Sequence, residues 1–272
     1  GGVWTWVSQR TKWAGHEEVG GYWTGKGIPG MLRSIDCMHW QWKNYPKGLR
    51  VMYEGHTKEA TIILEAVASH DLWIWHAFFR MSGSHSNINV LQSSSVFRRL
   101  CNGESPSCNY TVNDQDYNMG YYLADGIYPQ WAAFVKTISK PHGNKQSHFA
   151  TMQEAARNDV ERTFGVLQAR WGIVWSVAMM WESETLWQLV TCYVILHNMI
   201  VEDESDGVAQ THEFEAPGEQ VEIPEDQDAA QLMNFLQMHQ NLWDHQVHTQ
   251  LLNDLVEHMW THNGNQRAHV SP

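Results

Sequence analysis

Gly30-Met31-Leu32-Arg33-Ser34-Ile35-Asp36 is an apolar run that stops at a carboxylate. Gly120-Tyr121-Tyr122-Leu123-Ala124-Asp125 is a second run of the same kind. Residues 31–35 and 121–124 read as short strands, each delivering an Asp at its far end. Glu161 stands in Asn158-Asp159-Val160-Glu161-Arg162-Thr163-Phe164-Gly165, with 35 residues between it and Asp125. Around it Met152, Ala156, Val160, Phe164, Leu167 and Trp171 recur every three to four residues, the stripe of an amphipathic helix. Two carboxylates at strand ends facing a third on a helix can hold a pair of divalent cations, the apparatus for cutting phosphodiester bonds. Strand ends and a helix carry such ligands more rigidly than loops do.

Outward from these runs, residues 60–69 are apolar and rich in Ile and Val, and 72–79 are rich in aromatics; both read as strands. Residues 82–89 read as a Ser/Gly/His/Asn loop, 90–100 as a short helix, and 101–119 as a polar, irregular excursion. Residues 130–138 read as helical and 140–147 as a basic loop. A second long helix spans about 184–202 and is apolar nearly all round, which predicts burial. Strands first and helices after them predict an α/β layer fold on a central sheet. The domain reading is a Trp-rich, unassigned segment over 1–26, a catalytic-type domain over 27–202, an acidic linker over 203–228 and a helical segment over 229–264. In that last segment Leu251, Leu255, Val256 and Met259 form an apolar face. There are no internal repeats.

The chain has 272 residues, 43% of them hydrophobic, enough for a substantial core. The net charge of −12 is unevenly spread. Residues 1–201 hold 17 Lys/Arg against 16 Asp/Glu, whereas 202–272 hold one basic residue against 14 acidic ones. The body is therefore neutral, which permits contact with nucleic acid, and the acidic end would be repelled by phosphates. The most apolar stretch, 186–201, carries Gln188, His197 and Asn198, so no membrane span is expected. Cys37, Cys101, Cys108 and Cys192 form no CxxC pair and match no zinc-site spacing; they read as reduced thiols of an intracellular protein. No HExxH motif is present, which argues against a zinc protease despite the histidines at 239, 245, 248, 258 and 262. Gly1 and not Met opens the sequence, which reads as a fragment or a processed product.

Each candidate also has a plainer reading. Asp36 can be a strand-end turn residue, and Asp125-Gly126 is a common turn pair. Arg157 and Glu161 can form an i,i+4 ion pair worth about 0.3–0.5 kcal/mol when exposed. His39 and His76 can support the carboxylates from behind or sit as hydrogen-bonded core residues. Lys136, Lys140 and Lys145 can touch phosphates, or belong to an ordinary solvated basic loop. Most of the 15 Trp residues read as core, and the alternation of Trp73 and Trp75 along their strand favours burial.

Several blocks together resemble the plant transposase-derived nucleases of the PIF/Harbinger superfamily, a group of DDE superfamily endonucleases. They are Gly27 to Asn44 around Ser34-Ile35-Asp36-Cys37-Met38-His39, Leu64 to Phe79 around Ala68-Ser69-His70-Asp71, and Tyr121-Tyr122-Leu123-Ala124-Asp125-Gly126-Ile127-Tyr128-Pro129. Gln153 to Trp171 around Val160-Glu161-Arg162-Thr163-Phe164-Gly165, Ile195-Leu196-His197-Asn198-Met199-Ile200, and His248 to Trp260 complete the set. The resemblance implies an RNase H-like mixed central sheet with flanking helices. It implies a metal site of Asp36, Asp125 and Glu161, loaded with Mg2+ or Mn2+ and cutting DNA. It also implies a nuclear location, and transposases of this kind often work with a Myb-like DNA-binding partner protein.

The chain departs from the family pattern in one loop. The family reads Gly-x-Pro-Gly-x-x-Asn-Asp-Ile-Asn-Val-Leu, whereas Arg80, Ser82 and Asn87 stand here where it has Gly, Pro and Asp. Asn87 weakens the alternative in which that loop supplies the second carboxylate, and Asp125 is preferred. Trp175 to Trp181 also lacks the arginines usual there. Two functions are therefore expected: a divalent-metal-dependent DNA endonuclease, or a catalytically silent transposase descendant acting as a nuclear protein-interaction module. An Asp-Asp-Glu site plugged by arginine favours the second.

Overall fold

The computed structural model describes residues 21–49, 53, 59–82, 94, 96, 99–100, 107–126, 128, 130–175, 178–204 and 245–270. After a short helix α1 (Gly21–Gly25), the strands are β1 (Met31–Gln41), β2 (Thr61–Ala68), β3 (Ile74–Ser82), β4 (Ser107–Val112), β5 (Gln115–Met119), β6 (Tyr121–Ala124) and β7 (Phe134–Lys136). The helices that follow are α2 (Gly143–Arg170), α3 (Gly172–Trp175), α4 (Ser183–Glu204) and α5 (His245–Val270).

Five strands form a mixed sheet in the order β3-β2-β1-β6-β7. β1 pairs antiparallel with β2 and parallel with β6, and β7 continues the parallel half. This is an RNase H-like α/β fold. β2 is buried along its whole length, a mostly apolar run that carries Glu65 in its middle. Its alternate residues face two cores. Ile62, Leu64, Ala66 and Ala68 pack with Val160, Phe164 and Leu167 of α2 and with Leu186, Val190 and Val194 of α4. On the opposite face Val67 joins Ile35, Tyr122, Tyr128, Phe134 and Leu100. Beyond the end of α4's contact, Phe149 and Ala156 of α2 meet Leu251, Leu255, Val256 and Met259 of α5, the apolar face expected from the sequence.

Gly30 sets the start of β1. Its φ of +76° suits glycine, and a Cβ there would run into the Tyr110 ring.

Four expectations are corrected. Residues 134–136 form a parallel strand, not part of a helix, with Phe134 registered on Tyr122. A three-residue strand is too short to show a period that separates strand from helix, and pairing with β6 decides it. Within 101–119, β4 and β5 form an antiparallel hairpin instead of an irregular excursion. Asn113 and Asp114, with φ of +50° and +60°, make its two-residue turn. The basic loop ends early, since α2 begins at Gly143. Finally, α4 is not buried all round: Ile195, Leu196, Met199 and Ile200 are exposed on it. A helix lying on one side of a sheet has only one face to bury.

Asn87 and most of the 82–100 stretch lie outside the described residues, as do 1–20 and 205–244.

Candidate functional site

The site forms where β1 and β6 run side by side. Their last paired residues are Ser34 and Leu123. Asp36 stands two residues beyond Ser34 on β1, and Asp125 two beyond Leu123, just past the end of β6. The parallel register thus sets Asp125, just past the end of β6, beside the middle of β1, where Asp36 stands; β1 does not stop at Asp36 as expected but runs on to Gln41, because its pairing with β2 continues to Thr61. Side-chain alternation puts Asp36 on the face of Ser34, whose hydroxyl donates to the Ala156 carbonyl of α2 at 2.8 Å.

α2 is fastened over this part of the sheet by polar contacts. The Gln153 amide donates to the carbonyls of Ala124 and Val135, both at 3.3 Å, and so ties α2 to the ends of β6 and β7. Asp159 is buried; it accepts from the Trp23 indole at 2.7 Å and faces His70 and Arg162 at 3.3 Å. One turn from Gln153, Arg157 points at the aspartate of β1. Its Nη1 lies 3.3 Å from Asp36 Oδ2 and 2.6 Å from Glu161 Oε1. Arg157 and Asp36 are largely enclosed, their side chains 14% and 15% exposed, whereas Glu161 is 48% exposed.

Burial pushes the Asp36 carboxyl up to about 6, and the negative charges of Asp125 and Glu161 add to the rise. The Cys37 N–H, donating to Oδ1 at 2.8 Å, and the Arg157 guanidinium oppose it without cancelling it. Among the described residues, no three His, Cys, Asp or Glu side chains are grouped closely enough to hold a metal ion in this conformation. Arg157 supplies the positive charge between Asp36 and Glu161. The donors themselves, hard carboxylate oxygens, are of the type that Mg2+ or Mn2+ takes.

The three lysines separate. Lys136 Nζ donates to the Gly126 carbonyl at 3.2 Å and the Tyr128 carbonyl at 2.7 Å, so it staples the loop that follows Asp125. Burial lowers its affinity for a proton and the Asp125 charge opposes that. Lys145 pairs with Glu257 of α5 at 2.6 Å. Lys140 is exposed ahead of α2.

The two histidines also differ. His39 is exposed and meets Thr61 Oγ1 at 3.3 Å. His76 is buried on the other face of the sheet, 3.2 Å from Ser94 Oγ and 3.5 Å from Glu65 Oε1. Neither touches the carboxylates. The same far face holds Cys37, whose thiol meets the Tyr128 hydroxyl at 3.4 Å; burial and the Glu65 charge push that thiol up.

Sequence reasoning did not assign Gln153, Lys136 in its stapling role, or the reach of Arg157 to Asp36. Only the i,i+4 spacing of Arg157 and Glu161 was a visible signal. The contacts to Asp36, Ala124 and Val135 cross between elements and leave no local pattern.

The mixed sheet order and the flanking helices define an RNase H-like α/β protein. The family model described as plant transposon protein matches residues 16–208, and the chain belongs to that family. Its origin is thus in a transposon. No curated protein and no solved structure matches the chain significantly.

Proposed function

We propose that the protein is a transposase-derived, divalent-metal-dependent endonuclease acting on DNA phosphodiester bonds. The observation that carries this reading is geometric: the parallel register of β1 and β6 brings Asp36 and Asp125 to neighbouring strands, and Arg157 of α2 links Asp36 to Glu161. Asp36, Asp125 and Glu161 would hold Mg2+ or Mn2+. The bound metal would activate the attacking water or hydroxyl and stabilise the leaving oxygen. The chain's own part is positional. β1 and β6 fix the two aspartates, Gln153 and Ser34 hold α2 against them, and Lys136 keeps the Asp125 loop in place. A nuclear location, DNA as substrate and a Myb-like DNA-binding partner belong to the same proposal and follow from the family resemblance.

One observation favours the second reading, a silent transposase descendant that serves as a nuclear interaction module. Arg157 bridges Asp36 and Glu161, and no metal-holding group is assembled among the described residues.

Nicking of supercoiled plasmid decides between them. The endonuclease reading expects nicking with Mn2+, none with chelator, and none from the combined variant Asp36→Asn, Asp125→Asn, Glu161→Gln. Equal nicking by that variant would place the activity elsewhere, and no nicking by the unaltered chain would favour the module.

A further inference from the structure

We infer that Arg157 is the resident counter-cation of the carboxylate site, held there in the metal-free protein and displaced when a divalent cation enters. The inference rests on the metal-site reading above and goes beyond it, because it assigns a role to a basic residue that supplies no metal ligand. Both oxygens of Asp36 are engaged: Oδ1 by the Cys37 N–H at 2.8 Å and Oδ2 by Arg157 Nη1 at 3.3 Å. The backbone N–H is fixed by β1, so Oδ2 is the oxygen whose partner can leave. The same Nη1 also engages Glu161 Oε1 at 2.6 Å, so one guanidinium occupies the seat between two of the three carboxylates.

Electrostatics explains both the holding and the release. Asp36 and Glu161 share one guanidinium, and two like charges that close to a common point repel one another, so a cation between them is favourable. A divalent ion carries twice the charge and takes hard oxygen ligands, so it outcompetes a guanidinium for them. The two cations cannot share the seat without mutual repulsion, which is strong in a partly desolvated site. Lys136 cannot serve as the placeholder, since its ammonium is spent on the Gly126 and Tyr128 carbonyls. Arg157 sits on a long, rotatable side chain and can withdraw without moving α2. An arginine plug of this kind is compatible with an active site, and it imposes a threshold of metal concentration on loading.

Mn2+ affinity of the full chain, measured calorimetrically for the unaltered protein, Arg157→Gln and Arg157→Lys, tests this. The expectation is at least tenfold tighter binding in Arg157→Gln and a return toward the unaltered affinity in Arg157→Lys, where the charge is restored. Equal or weaker binding in Arg157→Gln, with Mn2+ taken up by both proteins, would overturn the placeholder and leave the metal site standing. No uptake by any of the three would overturn the metal site and the placeholder together. Should Arg157→Gln fail to fold, the guanidinium NMR signal of Arg157 in the unaltered protein serves instead. It is expected to shift on addition of Mg2+, and an unmoved signal at saturating Mg2+ overturns the proposal.

Discussion

At the scale of single residues, Asp36 carries the most testable physics. Its carboxyl is pushed up to about 6 in the folded protein from an ordinary value of 3.8. A carboxyl raised by folding binds its proton more tightly in the native state. Its contribution to stability is complete below pH 4 and is lost as the pH rises through about 6. Asp36→Asn keeps an acceptor for the Cys37 N–H but cannot ionise. In chelator, the variant should gain stability relative to the unaltered protein between pH 4 and 6.5, by on the order of 3 kcal/mol, and the difference should then level off. Urea unfolding at a series of pH values checks this; a variant less stable at pH 7 would show that the ionised carboxylate is a net stabiliser. Asp36 was legible in the sequence because an apolar run stops at it. The rise of its carboxyl was not legible, because the burial that causes it exists only once α2, whose Ala156 carbonyl accepts from Ser34 across 122 residues, is laid across β1.

At the scale of elements, the resembling block around His197 and Asn198 acquires a mechanical explanation. Asn198 grips the start of β3 with both ends of its amide. Its Oδ1 accepts from the Ile74 N–H at 3.0 Å, and its Nδ2 donates to the Ile74 carbonyl at 2.8 Å. His197 Nε2 donates to the carbonyl of Leu72 at 2.8 Å, and Leu72 holds a φ of +72°, rare for a bulky residue. α4 thereby fixes the turn into β3 by polar contacts on its buried side, while Met199 and Ile200 face solvent. Asn198→Ala would leave a buried N–H and a buried carbonyl without this partner, at a cost of about 2–4 kcal/mol. Asn198→Asp, which when protonated keeps an O–H donor for the Ile74 carbonyl and an acceptor for its N–H, should cost less at pH 4 than at pH 7, where the ionised carboxylate loses the donor. Denaturant midpoints of the two variants at pH 4 and pH 7 check the order. The sequence showed α2 and α4 well because long periodic patterns are robust. It missed β7 because a three-residue strand, Phe134-Val135-Lys136, is too short to show a period, and it missed the β4–β5 hairpin because its signal was the Asn113-Asp114 turn and not apolar alternation.

At the scale of the whole molecule, α5 belongs to the same packed body as the sheet. Leu251, Leu255, Val256 and Met259 close a core with Phe149 and Ala156 of α2 and with Tyr121 and Leu123 of β6. His248 Nδ1 meets the Trp131 carbonyl at 3.0 Å, and Tyr117 donates to Asp254 at 2.6 Å. Deleting residues 245–272 exposes that core and should abolish cooperative thermal unfolding, as followed by near-UV circular dichroism. A truncated chain that melts like the full one would show α5 to be dispensable. Among the described residues no helix is long and apolar enough to cross a membrane, as the polar residues within 186–201 implied.

The sequence by itself determined the central strands, the two long helices, the α/β class and the three carboxylates as candidates. These are properties of local pattern: an apolar run bounded by a turn residue, or a stripe at helical spacing, is written within a dozen positions. The tertiary structure alone decided that Asp36 and Asp125 stand side by side, which depends on the parallel register of β1 and β6. It alone decided that Lys136 staples a loop and that Arg157 joins Asp36 to Glu161. Those contacts pair side chains whose separation along the chain carries no periodic signal, and they exist only once packing brings their elements together.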